Sequence, residues 1–240
     1  MTFKDPSLKI PLINYIRKNS PHSRRAILKY IMEGNVHVNQ QVIRDAQTPV
    51  SPLDTIIVAN TPIRSQKSLY YMFHKPLNVI STFNDPNGRT DLGYYLKKYR
   101  LNITLKPIGR LDRHSSGLLL FSNDGQFIQT VLHPKFSILK RYQITLDKRL
   151  APADKQRLCD GFFLDDGPTK MTISSGPHPT MMHVTIGIGR NRILRRSFEY
   201  LGYRVIGLHR TDIGPIQLGD LPAGQFSELS PTAIKTLVLE

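Results

Sequence analysis

The stretch Gly109-Arg110-Leu111-Asp112-Arg113-His114-Ser115-Ser116-Gly117-Leu118-Leu119-Leu120-Phe121-Ser122-Asn123-Asp124-Gly125 carries the most information in this chain. Asp112 sits between Arg110 and Arg113, ahead of an apolar Leu/Phe run that reads as a buried strand and closes on an Asn-Asp-Gly turn. A carboxylate delivered to the mouth of a strand among cations is favoured in its charged form. That suits a nucleophile or a general base that must meet an anionic polymer. A loop aspartate also serves as a turn former or a helix cap. Bare chemistry leaves both readings open.

Around this stretch, the 240 residues provide for one large domain and one small one, and 40% apolar residues are enough for a core. The formal charge of +15 implies an anionic partner, most simply nucleic acid, against the plainer reading of a basic solvated surface. Cys159 is the single cysteine, so no intrachain disulfide forms, and a reducing compartment, the cytoplasm, is expected. It follows Arg157 and Leu158 in a helix-like stretch and reads as a small buried hydrophobe. The opening Met1-Thr2-Phe3-Lys4-Asp5-Pro6 has no apolar run of signal-peptide kind. No stretch approaches the roughly 18 apolar residues of a membrane span, so no membrane partner is expected. The eight histidines are scattered without ligand spacing, and neither a metal nor a cofactor is expected.

Residues 8–62 read as a first unit, 63–68 as a linker within a polar stretch that starts at Asn60, and 69–240 as the large domain. Leu12, Ile13 and Ile16 fall at helical spacing. Ser23 is a candidate cap for a second helix whose buried stripe is Ile27, Leu28, Ile31 and Met32, with Gly34 as its stop. Val36 and Val38 alternate with His37 and Asn39 as a half-buried strand does, and Ile56-Ile57-Val58 supplies another. Leu69-Tyr70-Tyr71-Met72-Phe73 opens the large domain as a strand, and Pro86-Asn87-Gly88-Arg89 marks a turn.

The string around Asp112 resembles the signature of pseudouridine synthases of the RsuA/RluB type, which act on ribosomal RNA. It matches the Gly-Arg-Leu-Asp opening, the hydroxyl at Ser115, the Gly-Leu-Leu-Leu strand and the Asn-Asp-Gly close. Ser23-Arg24-Arg25, the following helix, Glu33-Gly34 and Val36-His37-Val38-Asn39 likewise resemble the alpha-L RNA-binding domain first described in a ribosomal protein. The two resemblances together run over residues 8 to 230. They imply an α+β fold: a small N-terminal RNA-binding domain, joined to a catalytic domain on a mixed, mostly antiparallel sheet with Asp112 in its cleft.

The resemblance also implies roles. Asp112 matches the nucleophilic aspartate, and Arg110 the arginine that enters the space left by a flipped base. Tyr142 matches the tyrosine that stacks on the uracil and takes a proton; its surroundings, Lys140-Arg141-Tyr142-Gln143-Ile144-Thr145, alternate as a strand facing a cleft. His133-Pro134 resembles a short segment between these motifs. Gly187-Ile188-Gly189-Arg190-Asn191-Arg192-Ile193-Leu194-Arg195-Arg196 resembles the family's arginine segment: Arg195 matches the cation that pairs with the aspartate, and Leu194 the residue that packs on the base. Arg192 and Arg196 are further substrate contacts. Four arginines in seven residues call for carboxylates or phosphates to face. Ser23, Arg24, Arg25 and Lys29 are assigned to RNA, with cations and free amides at a helix start offered to phosphate.

Three departures stand out. Ile188 and Ile193 occupy positions usually held by Glu and Gln, and Ser197 one usually held by Met. Ile188 and Ile193 leave room for a non-catalytic RNA-binding or ribosome-assembly protein on the same fold, against which an intact Asp112, Tyr142 and Arg195 argue. A base-releasing glycosidase would need a second carboxylate or a histidine to deliver water, and none stands at a suitable position. The expected partner is ribosomal RNA, free or in a pre-ribosomal particle, met by a monomer. The Asp85–Arg89 turn and the segment Asp166-Gly167-Pro168-Thr169-Lys170 resemble the large-subunit branch more than the small-subunit one.

Overall fold

A computed structural model describes residues 9–101 and 104–239. The opening stretch that bears on a signal peptide, and residue 8, lie outside them. The chain divides into two compact units. One is the chain up to Leu69 with Ser122–Gly125 and a short piece ending at Lys106; the other holds the remainder.

In the smaller unit, helix Leu12–Asn19 buries Leu12, Ile13, Tyr15 and Ile16. Ser23 caps helix Arg24–Met32, its hydroxyl accepting from the Ala26 amide at 3.2 Å. Ile27 and Ile31, four apart, face the core. Met32, expected in that stripe, is 72% exposed, because one residue beyond Ile31 turns it about 100° off the buried face. The helices cover a four-stranded antiparallel sheet in the order Gln41–Val42, Val36–Val38, Ile56–Val58, Thr61–Ile63. The last strand falls partly within the stretch read as a polar connection. Ala59 and Asn60, both at positive φ, make the tight turn that returns the chain, and Ile63 is buried opposite Ile56. Pro62 is tolerated because this strand lies at the sheet edge.

The larger unit is built on a sheet whose strands run, side by side, Thr172–Ser175, Met181–Ile186, Lys140–Leu146, Val205–Ile213, Ser116–Ser122, Tyr70–Lys75 and Phe226–Glu228. The Val205–Ile213 and Ser116–Ser122 strands pair parallel. The Lys140–Leu146 strand is antiparallel to both of its neighbours, and Phe226–Glu228 is antiparallel to Tyr70–Lys75. The expected mixed, mostly antiparallel α+β architecture is therefore present. Alternation along the strands assigns the faces. Tyr142, Ile144 and Leu146 enter one core with Val184, Leu208, Leu158 and Phe198, which brings helices Pro152–Asp160 and Ile193–Tyr200 onto that face. Leu118 and Leu120 point to the opposite face and pack with Phe127, Val131 and Leu237. Phe73, Phe121, Phe226 and Tyr95 form an aromatic cluster beside the Tyr70–Lys75 strand.

Candidate active site

The register across three strands builds the floor of the site. Tyr142 stands opposite Arg210, and Arg210 opposite Gly117, so all three lie in one row on the face that carries Tyr142. Gly117 is required there. Its φ is +106°, and a Cβ would come within 2.2 Å of the Arg210 carbonyl oxygen. Arg210 is buried; its Nε donates to the Leu118 carbonyl at 2.7 Å and its Nη1 to the Tyr142 hydroxyl at 3.4 Å. Its guanidinium carbon lies 5.9 Å from the Tyr142 ring centre, in cation–π range. Tyr142 itself is buried in the core with Leu111 and Leu194.

Asp112 sits in the loop that enters the Ser116–Ser122 strand, and every carbonyl from Leu111 to Ser115 is taken. Ser81 Oγ donates to Leu111 (2.7 Å), the Ser115 amide to Asp112 (3.0 Å), and the Asn78 amide to Arg113 (2.8 Å). Arg195 Nη2 donates to His114 (2.6 Å), and Lys75 Nζ to Ser115 (2.7 Å). A loop anchored at each peptide cannot drift, so the carboxylate is held in place before substrate arrives. Its side chain stays 35% exposed.

The arginine segment divides its work differently from expectation. The cation within salt-bridge distance of Asp112 is Arg192, at 3.6 Å, not Arg195. Between groups this exposed, such a pair contributes about 0–1 kcal/mol to stability, so its use is orientation. Arg195 instead spans two carbonyls, His114 and Val205 (2.7 Å). Burial lowers its pKa, the nearby Arg192 adds to that, and Asp112 opposes it, so the aspartate's field still reaches it. Arg196 is not free for phosphate: it binds Asp165 and Asp166 and donates from Nε to the Asn191 carbonyl. Leu194 is buried against Tyr142's core, and Arg110 is exposed beside Asp112.

Two participants were not read from the sequence. Lys75 is 0% exposed, and burial lowers its pKa to about 8, opposed by Asp112 and aided by Arg210. Arg210 is the other. Lys75 ends the Tyr70–Lys75 strand and Arg210 lies within Val205–Ile213, each next to a histidine, and only the fold brings both to the segment that follows Asp112. The alternation Phe73, His74, Lys75 placed Lys75 on the inward face; that was the one available signal. Around the loop, Arg195 Nε, Arg210 Nη2 and Ser115 Oγ are buried and make no hydrogen bond.

Ile193 is buried in the core and Ile188 packs against it, so apolar residues at these two places are accounted for by packing. Ser197 is buried, and nothing in the structure explains its hydroxyl. His133 accepts from the Lys135 amide at the start of a short 3-10 turn, apart from these contacts. Cys159 is partly buried against the same core and unpaired. In the smaller unit Arg24 and Arg25 are exposed at the helix start, while Lys29 lies 3.7 Å from Glu33. Among the described residues no cluster of three His, Cys, Asp or Glu is placed to hold a metal, and no helix is long and apolar enough to cross a membrane. A groove of about 520 Å³, lined by Arg141, His183 and Thr185 among others, opens on the sheet face away from Tyr142 and contains none of Asp112, Tyr142 and Arg195.

Comparison with known proteins places this geometry. Residues 69–200 match a family described as RNA pseudouridylate synthase, and residues 11–56 match the S4 domain. A relative from Bacillus subtilis (strain 168), named ribosomal large subunit pseudouridine synthase B, is 34% identical over 222 residues, covering 90% of each chain. An uncharacterized RNA pseudouridine synthase from Mycobacterium leprae (strain TN) is also 34% identical, over 91% of this chain and 88% of its own. A crystal structure of a pseudouridylate synthase superposes with a TM-score of 0.69 at 25% identity, over 95% of this chain and all of that one.

Proposed function

Because the chain belongs to the RNA pseudouridylate synthase family, we propose that it isomerises specific uridines of ribosomal RNA, in the large subunit, to pseudouridine. The observation that carries the catalytic reading is the Asp112 loop: five successive carbonyls fixed by five partners, with a carboxylate left open to solvent beside Arg192. The likeness to the Bacillus ribosomal large subunit pseudouridine synthase B supports the large-subunit target over the small-subunit one.

The reaction breaks the bond from ribose to uracil N1, turns the base, and forms a bond from ribose to C5. C5 gives up a proton and N1 gains one, so no atom or electron is added. Asp112 is the nucleophile. Tyr142, whose hydroxyl is met by Arg210, takes the proton. Arg195 fixes the loop and lends its charge, and Arg192 orients the carboxylate. The target base must leave its stack to be reached; Arg110 fills the space it vacates and Leu194 packs on it. Ser23, Arg24, Arg25 and Lys29 hold RNA phosphate. Of these, Arg24 and Arg25 carry the larger share, since the Ser23 hydroxyl is engaged in capping and Lys29 lies near Glu33. The protein acts as a cytoplasmic monomer, on free ribosomal RNA or in a pre-ribosomal particle, without a cofactor.

Pseudouridine mapping of ribosomal RNA from cells with and without the protein tests the target. Asp112→Asn tests the chemistry: the amide keeps the shape, so folding and RNA binding persist while turnover in a purified assay is lost. Near-normal turnover of that variant would refute the assignment.

A further inference from the structure

We infer that Asp166 is a positioning residue for the reaction: its carboxylate grips Arg190 and Arg196, on either side of Arg192, and so holds Arg192 at Asp112. The inference rests on the proposed role of Asp112.

Strands Phe162–Leu164 and Gly167–Thr169 form a two-stranded hairpin with Asp165 and Asp166 at its turn. Such a hairpin is marginal alone in water. Here it is fastened to the arginine segment. Arg190 Nη1 lies 2.9 Å from Asp166 Oδ1, and its Nη2 donates to the Pro168 carbonyl at 2.6 Å. Arg196 Nη2 takes Asp166 Oδ2, and its Nη1 takes Asp165 Oδ1 at 2.6 Å. Each oxygen of Asp166 thus serves a different arginine. The backbone makes room for this: Gly167 has φ +119°, and a Cβ there would lie 2.9 Å from Arg190 Nη1.

Arg190 precedes Arg192 by two positions and Arg196 follows it by four. Between them, Arg192 adopts the left-handed conformation, φ 46° and ψ 29°, at the start of helix Ile193–Tyr200, with no side-chain cap. That conformation costs a non-glycine residue on the order of 1–3 kcal/mol and persists only where the surroundings impose it. The two anchored arginines are the surroundings. Asp166 is suited to hold them. The Arg196 hydrogen bond, and secondarily the Arg190 charge, keep its carboxyl below the usual carboxylate range. Its side chain is 36% exposed against 84% for Asp165, so water competes less for its pairs. Asp165 is the natural control.

A hairpin brace alone would stabilise without touching the rate, and exposed pairs of this kind contribute only about 0–1 kcal/mol. The test therefore separates rate from affinity and folding. Full-length Asp166→Asn, Asp165→Asn, Arg192→Ala and the Asp166→Asn/Arg192→Ala double variant are assayed on ribosomal RNA from cells lacking the protein. Single-turnover rates at saturating RNA, filter binding and thermal melting are measured for each. A misplacement near 1 Å costs up to about a hundredfold in rate. Asp166→Asn is expected to lose about tenfold or more, with RNA affinity within about twofold, and Asp165→Asn to stay near wild type. The double variant should fall no lower than Arg192→Ala, because Asp166 acts through Arg192. A wild-type rate for Asp166→Asn, or losses that multiply in the double variant, overturns the inference. If Asp166→Asn is unfolded at assay temperature, Arg190→Gln decides: it removes one anchor and leaves the hairpin tied through Arg196, and a wild-type saturated rate overturns the inference equally. Asp112→Asn, assayed beside these variants, reports on the underlying assignment separately: full activity there would sink that assignment.

Discussion

Replacing Lys75 by methionine tests whether a buried ammonium braces the Asp112 loop. Lys75 is fully buried, donates to the Ser115 and Pro76 carbonyls at 2.7 and 2.9 Å, and has its pKa lowered from 10.5 to about 8, chiefly by burial. Between those values the unfolded chain holds a proton that the folded one has released. Stability therefore rises with pH across this window. Integrated from pH ~7.5 to ~9.5, one such lysine adds about 2 kcal/mol. Lys140, lowered to about 8 by burial and Arg210, adds a comparable rise, and Lys106 is lowered too. Both remain in the variant, so subtracting its curve from that of the wild type isolates Lys75. Tyr71, Tyr95 and Tyr203, raised by burial, weigh in the opposite sense only above pH ~10. At neutral pH the two changes nearly cancel. Removing the charge relieves about 3 kcal/mol, whereas stranding the buried Ser115 carbonyl costs about 1–3 kcal/mol and the partly exposed Pro76 carbonyl less. The assay is urea unfolding followed by circular dichroism at pH ~7.5, ~8.5 and ~9.5, reading the transition of the larger unit. The wild type should gain about 2 kcal/mol more than Lys75→Met. The saturated single-turnover rate should also fall about tenfold, because Ser115 loses its tether. An equal rise in both proteins would refute the buried, charged lysine, and an unchanged rate would refute its hold on the loop.

Gly117→Ala should cost on the order of 3–5 kcal/mol in thermal unfolding, since the new methyl meets the Arg210 backbone at 2.2–2.9 Å in a conformation that L residues rarely adopt. A melting temperature within a degree or two of wild type would mean that the two strands separate readily. Arg24→Ala with Arg25→Ala should weaken RNA binding and make the slope of log affinity against log salt shallower by about 1.5–2. The saturated rate should be unchanged; a collapsed rate with an unchanged slope would assign the small unit to the active site instead.

Much of the fold was legible because local signals agreed with one another. Leu12, Ile13 and Ile16 repeat at helical spacing, Ser23 caps, and Val36 and Val38 alternate, so local preference and burial point the same way. Met32 and the strand at Thr61–Ile63 depart from the sequence pattern for related reasons. Apolar character alone does not place Met32, which lies one residue past Ile31 on the helix, and a Pro among polar residues suggests a break although edge strands tolerate it. The chemical residue Asp112 was legible because its motif is contiguous. Lys75 and Arg210 were not, because they lie 37 and 98 residues from Asp112 and reach the segment after it only in the folded sheet.

The arginine segment shows where composition misleads. Clustered cations call for carboxylates or phosphates to face, and the resemblance makes Arg192 and Arg196 substrate contacts. In the fold Arg190 and Arg196 face Asp166, Arg192 faces Asp112, and Arg195 faces two carbonyls. Three of the four are thus paired with carboxylates within the protein, and the exposed cations of the catalytic loop are Arg110 and Arg113, which lie outside this segment. That distribution has a mechanistic consequence. A cleft crowded with uncompensated arginines would hold phosphate wherever RNA touched it, and would bind substrate and transition state alike, which raises affinity without raising the rate. Fixing the arginines on Asp112, Asp166 and the loop carbonyls reserves them for geometry. Long-range attraction is left to exposed cations outside this segment, Arg110 and Arg113 in the loop and Arg24 and Arg25 in the smaller unit, whose phosphate contacts carry salt-dependent affinity and little chemistry.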